Sequence, residues 1–165
     1  MLKKQFNILL LIFLNIGADQ YSKYLVRLKI TPGSRTEIAG ELLQLMNVEN
    51  SGAFLGLGSE YNPTIKLIFL LIVPTLVLGF VLYYLFTNKS LDRLTRVGLC
   101  CIVGGGLANL YDRFVYGSVT DFLFMDFSIA RTGIFNVADL SVTTGMVFIL
   151  IATLKEKNRK QKTLS

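Results

Sequence analysis

Apolar residues in this chain come in long blocks rather than in short alternating runs. Residues 5–18 carry no charge, and the block reaches residue 22 if Asp19 is allowed. Residues 67–88 are uncharged, 97–111 are uncharged between Arg96 and Asp112, and 132–154 contain only Asp139. A membrane span needs roughly 17–25 mostly apolar residues. The pattern therefore predicts four transmembrane helices, near 5–24, 64–87, 94–112 and 134–154, within a single membrane-embedded domain over 1–165. The third block is the shortest and carries Gly104, Gly105 and Gly106. Pro74 predicts a kink in the second helix, which neighbouring helices can compensate. Between the first two helices, 25–63 is the one sizeable polar segment. Its stretches "YLVRLKI" and "TEIAGELLQLMNVEN" show partial alternation, broken by the turn signal "TPGS", and predict a small β-sheet lying on the membrane surface. Residues 51–59, "SGAFLGLGS", read as a flexible loop exposing Phe54, Leu55 and Leu57. The fold class is thus mainly α and integral to the membrane, with a sheet and loop between helices 1 and 2.

Charge orients this arrangement. The net charge is +6, and 17% of residues are charged against 52% hydrophobic, at a mean hydropathy of +0.54. Lys3 and Lys4 precede the first helix, and Lys89, Arg93 and Arg96 lie between the second and third. Lys155, Lys157, Arg159, Lys160 and Lys162 follow the fourth. Ten of seventeen basic residues so fall on one side of a four-span chain, which places both termini in the cytoplasm. The 155–165 tail reads as an anchor beside anionic lipid, not as a nucleic-acid site. The basic start, apolar stretch and small residues of "MLKKQFNILLLIFLNIGA" also fit a cleavable signal peptide; the three spans that follow and the positions of Asp19 and Lys23 favour a retained helix. Cys100 and Cys101 are adjacent within a helix, where disulfide geometry is hard to reach, and read as packing residues. The chain has no histidine, which excludes Ser-His-Asp and Cys-His catalysis and histidine-rich zinc sites. No metal and no cofactor is expected.

The predicted topology brings the polar residues of the spans to one leaflet. Asp19 and Lys23 lie at the outer end of helix 1, Asn109, Asp112 and Arg113 at that of helix 3, and Asn136 and Asp139 at the outer start of helix 4. Asn50, the glycine-rich loop and Asp121 of "GSVTDF" lie in outer connections. Each piece also has a plain structural reading. Asp19 and Lys23 make an i, i+4 helix pair, and Asp112–Arg113 could be an interfacial ion pair. Gly104 and Ala108 form a small-xxx-small packing pair. Asn136 and Asp139 could cap a helix whose N-terminus favours an acid. Against that last reading, Asp139 stands a full turn inside an apolar stretch, where an ionised carboxylate is costly. Asp121 and Asp139 lack a basic neighbour in sequence. If they meet, the two cannot both ionise cheaply, and one keeps its proton. This is the device by which a carboxylate pair hydrolyses a peptide bond.

The stretches "DQYSK" (19–23), "ENSGAF" (49–54), "NLYDR" (109–113), "GSVTDF" (117–122) and "FNVAD" (135–139) follow the order and spacing of the lipoprotein signal peptidases, signal peptidase II. The chain resembles that family from Asp19 to Gly145. The resemblance implies an aspartyl endopeptidase of the bacterial cytoplasmic (inner) membrane, active near the outer leaflet. It would remove signal peptides from diacylglyceryl-modified prolipoproteins, cutting before the lipidated lipobox cysteine. It implies Asp121 and Asp139 as the catalytic pair, with Asp19, Lys23, Asn50, Gly52, Asn109, Arg113 and Asn136 binding substrate or holding the helices. Asp112 takes a structural ion-pair role. The implied partners are lipid-modified prolipoproteins and membrane lipid, with no nucleic acid, and the protein is expected to act as a monomer. This sequence departs from the family's Gly-Ala-Ala-Phe at Gly52-Ala53-Phe54-Leu55, and has Ala108 where Gly is usual. Other readings are a small proton-coupled transporter component relaying protons through Asp139, Asp19 and Lys23, a Ser/Lys peptidase using Ser22 or Ser118 with Lys23, and a non-catalytic assembly factor.

Overall fold

The structure, a computed structural model, describes residues 2–53 and 56–164. Phe54 and Leu55, two of the apolar residues of the predicted loop, lie outside the described residues. Four helices are described: α1 (Leu2–Lys29), α2 (Pro63–Thr87), α3 (Arg93–Tyr116) and α4 (Val137–Leu164). Three strands accompany them: β1 (Arg35–Ala39), β2 (Leu43–Asn50) and β3 (Val119–Met125).

Local chemistry sets the helix ends. Asn62 caps α2, its side chain accepting from the Ile65 N–H at 2.9 Å, with Pro63 at the first helical position. Asp92 caps α3 through the Leu94 and Thr95 N–H groups. Gly117 ends α3 with φ 76°, a left-handed conformation that glycine adopts without penalty, and its N–H closes on the Arg113 carbonyl. The disturbance expected at Pro74 takes the form of a π-helical stretch, Leu67–Ile72, just before it. The proline ring and its missing donor disrupt the regular ladder there.

Helix α3 is the centre of the bundle. A Cβ on Gly104 would stand 2.6 Å from the Asn15 Cβ of α1, and one on Gly106 would stand 2.7 Å from Leu78 of α2. One on Gly105 would strike the Ala138 carbonyl of α4, and one on Gly98 would lie 2.7 Å from the Gly145 carbonyl. The glycines thus let three different helices approach one, the close packing that small residues permit within membranes. Ile8, Ile12, Leu85, Cys100 and Val103 form the apolar core at the end away from the sheet.

Elsewhere the usual distribution is inverted. Phe13, Phe69, Leu76 and Phe80 are exposed on the outside of the bundle, whereas Asp19, Lys23, Asp112 and Asn136 are wholly buried inside it. Charged side chains are almost never buried in a water-soluble core without partners, and here the surrounding solvent is lipid. Among the described residues, three helices are long and apolar enough to cross a bilayer: Pro63–Thr87, Arg93–Tyr116 and the Val137–Gln161 part of α4. The chain is a multi-pass membrane protein. Helix α1 falls outside that set because Asn7, Asn15, Asp19, Gln20 and Lys23 dilute its apolar content.

The sheet is antiparallel in the order β1-β2-β3, and it corrects the expectation drawn from sequence. The segment "YLVRLK" continues α1 and is not a strand. The third strand lies outside the helix 1–helix 2 connection, in the α3–α4 connection, and carries Asp121. Val48 pairs with Asp121, Glu49 with Thr120 and Asn50 with Val119, beyond an irregularity between Leu45 and Val48. In the 51–59 loop, Ala53 N–H donates to the Leu57 carbonyl at 2.7 Å, although Leu57 itself is 70% exposed.

The glycine contacts make opposite predictions for two residues of one chemistry. Gly105→Ala should lower stability by about 1–3 kcal/mol through overpacking. Gly79→Ala, with open space at its Cβ, should be neutral or stabilising. Thermal unfolding in detergent measures both.

Candidate active site

The site forms where β3, the start of α4 and the ends of α1 and α3 converge. After β3 the chain turns back, and Phe135 bridges antiparallel to Leu123. The Phe135 N–H donates to the Leu123 carbonyl at 2.9 Å, and Leu123 N–H returns the bond at 2.8 Å. That bridge delivers Asn136 beside Asp121. Asn136 then caps α4 reciprocally: its Oδ1 accepts from the Asp139 N–H at 3.0 Å, while Asp139 Oδ2 accepts from the Asn136 N–H at 3.2 Å. This is a capping box with an Asn at the cap and an Asp three residues on. The remaining Asn136 group, Nδ2, donates to Asp121 Oδ1 at 2.6 Å. One residue therefore joins both carboxylates, Asp121 through its side chain and Asp139 through its backbone N–H.

From each carboxylate the network runs outward. Asp121 Oδ2 accepts from Asn50 Nδ2 at 2.8 Å, and Asn50 Oδ1 accepts from the Gly52 N–H at 2.9 Å. Arg113 donates to the Gly52 carbonyl at 3.0 Å. Gly52 has no room for a side chain, since a Cβ would meet the Gly56 and Leu57 carbonyls at 2.6 Å. On the other side, Asp139 Oδ1 accepts from Asn109 Nδ2 at 2.8 Å, and Asn109 Oδ1 accepts from Lys23 at 2.9 Å. Lys23 also pairs with Asp19 and Asp112, each at 2.7 Å. Its three donors thus meet three acceptors, the condition under which an ammonium tolerates complete burial. Asp19 Oδ1 accepts from the Ala138 N–H at 2.8 Å. An acid of α1 so satisfies a free donor in the first turn of α4, where negative charge is favoured.

The structure brings all nine sequence-predicted residues into one continuous chain: Asp19, Lys23, Asn109, Asp139, Asn136, Asp121, Asn50, Gly52 and Arg113. Asp112 pairs with Lys23 rather than with the adjacent Arg113, because neighbouring residues on a helix do not face each other. Gln20, which sequence reading passed over, donates to Asp112 Oδ1 at 2.9 Å. Its place one residue after Asp19 gave no signal by itself. The hydroxyl of Ser22 donates to the Asp19 carbonyl and that of Ser118 to Glu49, so neither serine is partnered by Lys23.

Both carboxylates, with Asn50, Ala53, Asn109, Arg113, Val119 and Asn136, line a cavity of about 60 Å³. Asp121 also borders a space of about 340 Å³ towards the 51–59 loop. Asp139 borders one of about 350 Å³ lined by Met125, Phe127, Phe135 and Leu140. A groove of about 620 Å³ between α2 and α3 contains neither carboxylate. Burial pushes the Asp121 carboxyl up to about 6; the nearby Asp139 charge adds to this, and the Asn50 and Asn136 hydrogen bonds oppose it.

A lipid-facing bundle enclosing a paired-carboxylate site defines a multi-pass membrane protein equipped for acid–base chemistry. Residues 11–155 match the family model described as signal peptidase (SPase) II. The chain is 36% identical over 147 residues to the lipoprotein signal peptidase of Borrelia turicatae (strain 91E135), covering 86% of this chain and 85% of that one. It is 31% identical over 157 residues to the lipoprotein signal peptidase of Streptococcus pyogenes serotype M1, covering 95% and 98%. A bacterial membrane enzyme solved by the in meso method at 2.3 Å resolution superposes with a TM-score of 0.83 at 27% identity, over 93% of this chain and 91% of that one. The chain belongs to the signal peptidase II family, and it is a peptidase.

The amide contacts to Asp121 predict how its proton affinity responds to substitution. Asn50→Ala removes a donor that favours the ionised carboxylate, so the titration midpoint of Asp121 should move above 6. Carboxyl ¹³C shifts followed against pH in detergent would measure it; an unchanged or lower midpoint would contradict the stated cause.

Proposed function

We propose that this chain is an intramembrane aspartyl endopeptidase that removes signal peptides from diacylglyceryl-modified prolipoproteins, cleaving before the lipidated cysteine. The observation that carries this reading is the joining of Asp121 and Asp139 through Asn136 beside a cavity with room for water. In the proposed reaction the pair shares one proton. Asp139, in its ionised form, takes a proton from water as that water attacks the scissile carbonyl carbon. Asp121, whose carboxyl holds its proton more tightly than an ordinary aspartate, protonates the carbonyl oxygen. Collapse of the tetrahedral species breaks the C–N bond, and the leaving amine takes up a proton from the pair. Arg113 fixes the loop at Gly52 over the site, and Asn109 holds Asp139 in orientation against Lys23.

In this reading α1 is the fourth span. At 28 residues it is about 42 Å long, and its polar half is buried against α3 and α4, not presented to lipid. The basic segments favour a topology with both termini on the cytoplasmic side of the bacterial inner membrane, in which the sheet end meets the outer leaflet. A lipidated signal peptide would place its scissile bond at that depth. The protein works as a monomer with its prolipoprotein substrate. The transporter alternative requires ionisable groups along the depth of the membrane, whereas the buried charges Asp19, Lys23, Asp112 and Asp121 gather at the sheet end.

Incubating the purified protein with a diacylglyceryl-modified prolipoprotein and with its unlipidated counterpart tests both reaction and substrate. Cleavage of the first, at least tenfold faster than of the second, is expected; equal rates on both would refute the requirement for lipid.

A further inference from the structure

Asp121 is held from behind as well as from the front. Alternation along a strand turns Thr120 to the opposite face of β3 from Asp121, and there it is wholly buried. Its hydroxyl accepts from Arg27 Nε at 2.8 Å and donates to Glu49 Oε1 at 2.7 Å. Glu49 is the cross-strand partner of Thr120, and its second oxygen accepts from Ser118. Arg27, in the last turn of α1, lies over the Tyr116 ring at 4.1 Å, with one guanidinium nitrogen 3.6 Å from Asp112 Oδ1. Asp112 is the same carboxylate that Lys23 binds. A second chain, Glu49–Thr120–Arg27–Asp112–Lys23, therefore runs behind β3 and rejoins the front network at Lys23.

We infer that Thr120 and Arg27 are positioning residues for the reaction, fixing β3 against α1 so that Asp121 keeps its register with Asp139. The inference rests on the proposed carboxylate pair and extends it to groups that touch neither the substrate nor the reacting atoms. Two observations separate this role from general stability. Pairing with β2 already holds β3 in the sheet, and Glu49, which anchors the far end of the chain, lies exposed, where polar contacts contribute little to folding. The hydroxyl of Thr120, by contrast, is one residue from the carboxylate, and misplacement of a reacting group by about 1 Å can cost on the order of 100-fold in rate.

The test measures kcat and KM on a diacylglyceryl-modified prolipoprotein for Thr120→Val, Thr120→Ser and Arg27→Met, alongside thermal unfolding. Thr120→Val should lower kcat roughly 10- to 100-fold, with KM within about twofold and little change in melting temperature. Thr120→Ser should restore kcat to within a few-fold of the parent, and Arg27→Met should reproduce the Thr120→Val pattern. The double variant should be no worse than the more severe single one, as expected for residues acting as a unit. Parental kcat in both Thr120→Val and Arg27→Met, or a loss that merely tracks loss of folded protein, would overturn the inference. Asp121→Asn serves as the reference. If it also cleaves normally, the carboxylate pair itself is wrong; if it is inactive while Thr120→Val is not, only the positioning role fails.

Discussion

The site depends on Asn136, which satisfies two carboxylates from different elements at once, Asp121 through its side-chain amide and Asp139 through its backbone N–H. Its Nδ2 holds Asp121 of β3, and its Oδ1 closes the first turn of α4 on the Asp139 N–H. The bond to Asp121 relies in addition on the bridge between Phe135 and Leu123, which sets the distance from strand to helix start. The same residue thus terminates a sheet, begins a helix and fixes the spacing of the acids. An apolar replacement at this position would leave Asp121 short of a donor and α4 short of a cap, in surroundings where an unpaired polar group is expensive.

Burying so much charge in a lipid-facing bundle requires that each group be answered. Lys23 meets Asp19, Asp112 and Asn109, and Asp19 reaches across to the Ala138 N–H. These partners come from α1, α3 and α4, so the network exists only if three helices approach closely at one level. Gly104, Gly105 and Gly106 of α3 make that approach possible by presenting bare backbone to three neighbours. Packing and electrostatics are therefore one problem here. The glycines bring the helices together, and the ion cluster fixes their register at the sheet end.

Much of this was legible in the sequence. Long uncharged blocks marked the helices, and the topology they imply gathered the polar residues at one end. The ordered motifs then singled out the nine residues that the structure links. The strand carrying Asp121 was not legible. Its first four residues, Val119 to Phe122, are all buried, so the alternation that marks a half-exposed strand is missing, and the segment read as a connection. The length of α1 was hidden for a related reason: "YLVRLK" is β-branched and alternating enough to suggest a strand, yet Lys23 and Arg27 need helical spacing to reach Asp112 and Thr120. The charged tail was read as an anchor only, whereas it prolongs α4 through contacts such as Glu156–Lys160 at 2.6 Å. The partner of Asp112 was misjudged because adjacency in sequence is not adjacency on a helix.

The central claim is that Asp121 and Asp139 act as one proton-sharing pair. The most direct measurement is the rate of cleavage of a lipidated prolipoprotein by Asp121→Asn and by Asp139→Asn, each at parental levels of folded protein. Each single change should abolish cleavage, and the double change should be no worse than either. Full cleavage by one of the two single variants would contradict that claim.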